Sequence, residues 1–164
     1  MKVLVPTDLS PTATSGLKYA LSFLNNYKGG SIHVLHVVEN ENLRGDAQDQ
    51  LNALCALNHA NHTTITSHIT VGNFEEEIGA FAITHACNLV IMATKGVHGI
   101  QKLIGSRALK IISESTTPFI VTQREVHDDE VLDRIAVPIT LEREDKKILS
   151  TVAAIAAPLK AAVL

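Results

Sequence analysis

The stretch Val90-Ile-Met-Ala-Thr-Lys-Gly-Val-His-Gly-Ile-Gln-Lys-Leu-Ile-Gly-Ser106 decides the fold. An apolar run breaks into a glycine-bearing loop, and Gly105-Ser106 closes that loop just before a helical pattern. Strand, phosphate-sized loop and helix N-terminus therefore follow one another. The first N–H groups of a helix have no partner within it, and its dipole favours an anion there. The segment carries Lys95, Lys102, Arg107 and Lys110 with no acidic residue from 94 to 110, in a chain of formal net charge -3. A locally positive glycine loop on a mildly acidic protein reads as an anion site. A βα turn followed by a solvated basic helix has the same pattern, and on these residues alone both readings stay open.

The rest of the chain frames that unit. At 164 residues there is room for one ordinary domain and an appendage. With 46% hydrophobic and 19% charged residues, the chain can bury a core and is not of the disordered class. Its near-neutral balance argues against a general nucleic-acid binder. Cys55 and Cys87 form no CxxC arrangement, which fits a reducing compartment and gives neither a disulfide framework nor a zinc site. No apolar run is long enough to span a bilayer and no signal-type segment opens the sequence, so the expectation is a cytoplasmic protein without a membrane partner.

Strand-like and helix-like segments alternate from the start. Residues 2–6 are apolar and β-rich. Ser10 is a natural N-cap, and Pro11 sits at the first helical position, where its missing N–H costs nothing. Leu17, Ala20, Leu21 and Leu24 recur at helical spacing, and Gly29-Gly30 ends that helix. Residues 31–38 form a second strand. A helix over 46–60 is expected to turn Leu51, Leu54, Cys55 and Leu57 inward. A β-branched strand follows over 63–71, then a helix marked by Phe74, Ile78, Phe81 and Ala82. A strand over 89–93, a helix over 104–115 and a strand over 118–123 complete the series. Strands separated by helices of this length pair in parallel through crossovers. Leu89-Val-Ile-Met-Ala93 is apolar on both faces, as a sheet covered on both sides demands. The fold class is therefore α/β, a doubly wound, Rossmann-like open parallel sheet over residues 1–123.

Residues 124–133 are a charged linker. Arg134-Ile-Ala-Val-Pro-Ile-Thr-Leu141 then echoes Lys2-Val-Leu-Val-Pro-Thr-Asp-Leu9, with Pro138 matching Pro6 and Leu141 matching Leu9. A helical pattern through Ile148, Leu149, Val152, Ile155 and Ala156 follows, then a short strand, 160–164. The expectation is that 134–164 is a partial second copy of the first domain, a truncated tandem, or a remnant leaning on the first domain or another chain. The echo is incomplete: Thr140 stands where the first copy has Asp8, Ile139 replaces Thr7 and Arg143 replaces Pro11. A copy without the acid reads as a structural or dimerising half.

The start Val-Leu-Val-Pro-Thr-Asp-Leu-Ser10, the second-strand Leu-His-Val37 and the loop ending Gly105-Ser106 together resemble the universal stress protein family over residues 1–123. That resemblance implies five parallel strands in the order 3-2-1-4-5, with Asp8 facing the glycine loop. It also implies an adenine-nucleotide site for ATP, with Mg²⁺ as a possible companion. Asp8 would contact the adenosine moiety, and Val37 would line the adenine slot. Gly96, Gly105 and Ser106 would hold phosphate and ribose oxygens with help from Thr94, and Gly99 would loosen the loop. The loop departs from the family's form in two places. Ala93 stands for the first glycine, and the span between Gly96 and Gly105 is one residue short. Family members often dimerise through the fifth strand, here Phe119-Ile-Val-Thr122, so a homodimer or intramolecular tandem pairing is expected.

Other chemistries lack their residues. His33, His36, His59, His62, His68, His85, His98 and His127 are scattered with no metal-ligand spacing, so no metal site is expected. There is no G-x-S-x-G elbow, no cysteine with an evident base, no Walker motif and no acceptor aspartate after the third strand. No general base stands out, so ATP hydrolysis would be slow at most. The leading expectation is a stress-response protein that binds ATP between Asp8 and the glycine loop, where the nucleotide orders a surface that a partner reads. The alternative is an interaction and dimerisation module of the same family that binds no nucleotide.

Overall fold

Alternating Val, Ile and Leu segments become strands, and the helically spaced ones become the layers that cover them. The computed structural model describes residues 1–25, 27, 29–58, 62–94, 106–122, 133–138 and 145–164. The chain divides into two compact units, Met1–Val126 and His127–Leu164.

In the first unit the strands are β1 (Lys2–Pro6), β2 (Gly30–Val38), β3 (Thr63–Val71), β4 (Leu89–Ala93) and β5 (Phe119–Thr122). They form one five-stranded sheet in the order β3-β2-β1-β4-β5, and every pairing is parallel. Parallel neighbours need crossovers, which here are α1 (Pro11–Leu24), α2 (Arg44–Ala56), α3 (Phe74–Thr84) and α4 (Ser106–Glu114). One face of the sheet buries Leu4, Leu35 and Val90 against Ile78, Phe81 and Ala82 of α3 and Ile111 of α4. Val3, Val5, Ile32 and Val34 belong to the other face and are fully buried, as are Leu17 of α1 and Leu51 of α2. Both faces are thus apolar, as the continuous Leu89–Met92 run demands.

Local chemistry sets the element ends. Ser10 caps α1, its side chain accepting from the Ala13 N–H, with Pro11 in the first turn. Asn73 caps α3 by accepting from the Glu75 and Glu76 amides. The second helix departs from expectation. It begins at Arg44 after a short 3₁₀ turn, Glu41–Leu43, capped by Asn40, and it stops at Ala56. Leu51 is buried and Leu54 and Cys55 are half-buried, but Leu57 lies past the last turn and is 83% exposed. Helical spacing could not place Leu57 because the helix had already ended.

The second unit contains β6 (Arg134–Ile135), α5 (Asp145–Leu159) and β7 (Ala162–Val163), with β6 and β7 parallel. Both strands are shorter than the 134–141 and 160–164 segments expected, and 139–144 lie outside the described residues.

Candidate functional site

The order β3-β2-β1-β4-β5 makes β1 and β4 neighbours, with Val3 opposite Leu89 and Leu4 opposite Val90. From β1 the chain runs to β2 on one side, while β4 and β5 lie on the other. Open α/β sheets form a crevice at such a switch point, outside the carboxyl ends of the strands. A cleft of about 250 Å³ lies there. It is lined by Pro6 at the end of β1, Asp8 in the turn after it, the N-cap Ser10 with Thr12 and Ala13 in the first turn of α1, Phe74 at the start of α3, and Met92, Ala93 and Thr94 at the end of β4. One wall is apolar, through Phe74 and Met92, and the rim is oxygen-rich.

The turn that presents Asp8 is tightly held. Thr7 is buried, and its N–H donates to the Leu35 carbonyl at 2.9 Å. Its hydroxyl oxygen accepts from the Leu9 N–H at 3.0 Å. Its carbonyl lies 2.8 Å from His36 Nδ1, and since a carbonyl only accepts, that nitrogen carries the proton. Asp8 Oδ1 accepts from the Ser10 N–H at 2.9 Å. Leu9 takes φ 63°, a left-handed conformation that costs a non-glycine residue on the order of 1–3 kcal/mol and persists only where its surroundings impose it. Asp8 itself is exposed. Ser10 caps α1, as its sequence position suggests, but Asp8 also takes part in the helix entry by holding the Ser10 amide.

Across the cleft, Thr94 continues β4, its N–H donating to the Thr122 carbonyl at 2.9 Å. Gly16 of α1 presses on the end of this strand. A Cβ built on Gly16 would stand 3.2 Å from the Ala93 nitrogen and 3.4 Å from the Ala93 Cβ. The Ala93 methyl is therefore directed at α1, and the small residue at 16 makes room for it.

The structure brings Asp8 and Thr94 to one cleft. Val37 is not among the lining residues; it is half-buried and packs against the core cluster on the α3–α4 side of the sheet, as do Phe74 and Phe119. Ser106 begins α4, while Gly96, Gly99 and Gly105 lie outside the described residues. Sequence reasoning missed Phe74, Met92 and His36. The first two look like ordinary core residues. His36 stood in the quoted Leu-His-Val37 segment, where a polar ring inside an apolar strand was the available signal. Among the described residues, no group of three or more His, Cys, Asp or Glu could hold a metal ion, and no helix is long and apolar enough to cross a membrane.

No curated protein sequence matches the chain at a significant level. Solved structures do. A universal stress protein from Archaeoglobus fulgidus is 26% identical with a TM-score of 0.59, over 79% of this chain and 45% of that one. A universal stress protein in complex with cAMP is 16% identical with a TM-score of 0.54, over 75% of this chain and 96% of that one. A universal stress protein family protein from Arabidopsis thaliana with AMP bound is 16% identical with a TM-score of 0.52, over 80% and 95%. The family model described as Universal stress protein family matches residues 1–123, well over half of the chain, and the chain belongs to that family.

Proposed function

We propose that this is a stress-response protein that binds an adenine nucleotide, ATP in the leading reading, in the cleft between Asp8 and the loop after β4. The observation that carries the reading is the exposed Asp8 carboxylate, held by a braced turn at the mouth of a cleft at the sheet's switch point. A carboxylate there accepts hydrogen bonds from the adenosine moiety, and Phe74 and Met92 offer an apolar wall. Thr94 leads into the glycine loop, in which Gly96, Gly105 and Ser106 would take phosphate and ribose oxygens and Gly99 would loosen the path. Two structural neighbours carry AMP or cAMP in their own structures, which supports an adenine nucleotide as the ligand class. The Ala93 substitution is compatible with this reading because its methyl faces Gly16. Binding would order the loop and create a surface for a partner, a population shift rather than catalysis. Mg²⁺ would accompany ATP through its phosphates, and the cytoplasm is the proposed compartment.

Residues 134–164 are proposed to open a second domain of the same kind. In the first unit Lys2 pairs with Ser31 and Val3 with Ile32; in the second Arg134 pairs with Ala162 and Ile135 with Val163. The Ser31 N–H donates to the Met1 carbonyl at 3.0 Å, and the Ala162 N–H donates to the Asp133 carbonyl at 2.8 Å. Left-handed Gly29 and Lys160 each stand two residues before the partner of the first strand's opening residue, Ser31 opposite Lys2 and Ala162 opposite Arg134. The edge strand β5, with Phe119 and Val121 half-buried, is the proposed pairing surface for a second copy or a tandem partner.

Isothermal titration with ATP and Mg²⁺, with AMP for comparison, tests the nucleotide reading. Micromolar binding that is tighter for ATP supports the loop as a phosphate site. No heat and no thermal shift at millimolar ATP would overturn it in favour of a non-nucleotide interaction module.

A further inference from the structure

Three histidines that look scattered in the sequence meet at the opposite end of the same sheet. His33 of β2 and His68 of β3 lie with Nδ1 and Nε2 2.9 Å apart, one donating and the other accepting. His85, the residue after α3, stands with its ring centre 5.7 Å from that of His33 and 5.5 Å from that of His68. Phe81 is the apolar partner they share. It stacks on His85 at 3.7 Å and meets His68 edge-on at 4.8 Å. His85 Nδ1 lies 3.1 Å from the Phe81 carbonyl, and Lys2 of β1 donates its ammonium to the His85 carbonyl at 3.2 Å. Three half-buried imidazoles, from β2, β3 and the end of α3, thus cluster around Phe81, and the exposed Lys2 of β1 ties down the backbone of one of them.

Among the described residues, the charges that act on His33 and His68 have one sign. His85 and Lys2 act on His33, and His33 and His85 act on His68, with no carboxylate among these influences. From the other packed elements, Cys87 is a buried thiol whose pKa burial pushes up, so it stays neutral. On α4, Lys110 is held by Glu75 at the far end of α3, and Glu114 is exposed. On the other face of β3, Ser67 meets Gln48 and Asn52, both neutral.

We propose that Lys2, His33, His68 and His85 form an acid-sensitive latch, closed at neutral pH and opened by mild acid, which fastens edge strand β3 and the end of α3 to the amino end of the sheet. A nitrogen–nitrogen contact of 2.9 Å holds one proton. When both rings are charged, both nitrogens are donors and the contact becomes repulsive. Release then falls on β3, which has a strand neighbour on one side only, and on the last turn of α3. The cleft at the carboxyl ends of the strands is not part of this cluster, so the inference does not depend on nucleotide binding.

The sign of the pH effect follows from proton affinity. Burial first, and then repulsion from the neighbouring basic groups, holds His33 and His68 below the ordinary imidazole value of 6.5. The unfolded chain therefore takes these protons first as pH falls. The stability is fully present above about 6.5 and is lost as pH drops through that value toward the folded pKa. Urea unfolding at about pH 7.5 and about pH 5.5 tests this on wild type and on His33→Gln/His68→Gln. The folding equilibrium constant of wild type should fall about tenfold or more further than that of the variant. Equal falls would overturn the proposal. If the variant does not fold, the wild type alone decides. Imidazole resonances of His33 and His68 should titrate below the free value, and hydrogen exchange should quicken over 63–71 and 79–85 before it does in β1 and β4. Titration at or above the free value, or acid-induced exchange that is uniform across the sheet, would sink it.

Discussion

The two strand–helix–strand units, β1–α1–β2 and β6–α5–β7, share pairing register and chain path, and differ in what surrounds them. In the first, Val3, Leu4 and Val5 are fully buried, and α1 buries Ala13, Leu17, Ala20, Phe23 and Leu24. In the second, β7 is exposed, and of the described side chains only Ala156 is buried. Carrying the Pro6–Pro138 spacing along the helix pairs Gly16 with Ile148 and Leu17 with Leu149. Gly16 touches β4, whereas Ile148 is 46% exposed; Leu17 is 0% exposed and Leu149 44%. The parallel pair and its crossover are thus a local property of the sequence. Burial, and with it most of the stability, comes from the strands and helices packed around the pair.

The sharpest way to break this comparison is to truncate the paired leucines. Leu17→Ala should cost about 2–5 kcal/mol, the range for large-to-small changes in a closed core, and Leu149→Ala should stay within about 1 kcal/mol. Urea denaturation measures both. Equal costs would mean that the second unit has a core of its own, larger than its exposure indicates. The next effect concerns the polar ends of the units, where Asp8 has Thr140 as its counterpart. Asp8→Ala should weaken adenine-nucleotide binding about tenfold to a hundredfold, the loss expected for one hydrogen bond to a charged group. Its stability should fall by only about 1 kcal/mol through the lost Ser10 contact. Unchanged affinity with a large stability loss would leave Asp8 a helix-entry residue and nothing more. His36→Ala removes the donor to the Thr7 carbonyl and should cost about 1 kcal/mol. It should weaken binding less than Asp8→Ala, because its effect reaches the ligand only through the turn.

How much of this was legible depended on the range of each interaction. The parallel sheet and its crossovers follow from β-branched runs alternating with helically spaced apolar residues, and those signals are local. Ser10 and Pro11 mark the start of α1 for the same reason. The strand order, which brings Asp8 beside Thr94, came from the family resemblance, because no local pattern says which strands are neighbours. The same limit hid His33, His68 and His85. They lie on three elements, and only the β2–β3 register and the end point of α3 bring their rings together. The pairing of Leu35 with His68 sets that register, and one residue of slip would turn His68 to the other face. Leu57 failed through the opposite cause, a helix that ended before its apolar spacing did.

The smallest effect bears on why the family's first loop glycine can be alanine here. Gly16→Ala adds a methyl 3.2 Å from the Ala93 nitrogen, closer than a well-packed Cβ normally comes to backbone. Overpacking of this kind costs about 1–3 kcal/mol, while replacing a mid-helix glycine by alanine returns about 1 kcal/mol. The net destabilisation should therefore be about 1 kcal/mol. Ala93→Gly in the same chain removes the methyl opposite and should recover part of it. Because Ala93 lines the cleft, the single variant should also weaken nucleotide binding, and the double variant should restore it. At the matching place in the second unit, Ile148→Ala should change stability by no more than about 0.5 kcal/mol, since Ile148 is 46% exposed. If Gly16→Ala were as silent as that change, the close packing of α1 on the end of β4 would have no energetic consequence, and Ala93 would need another explanation.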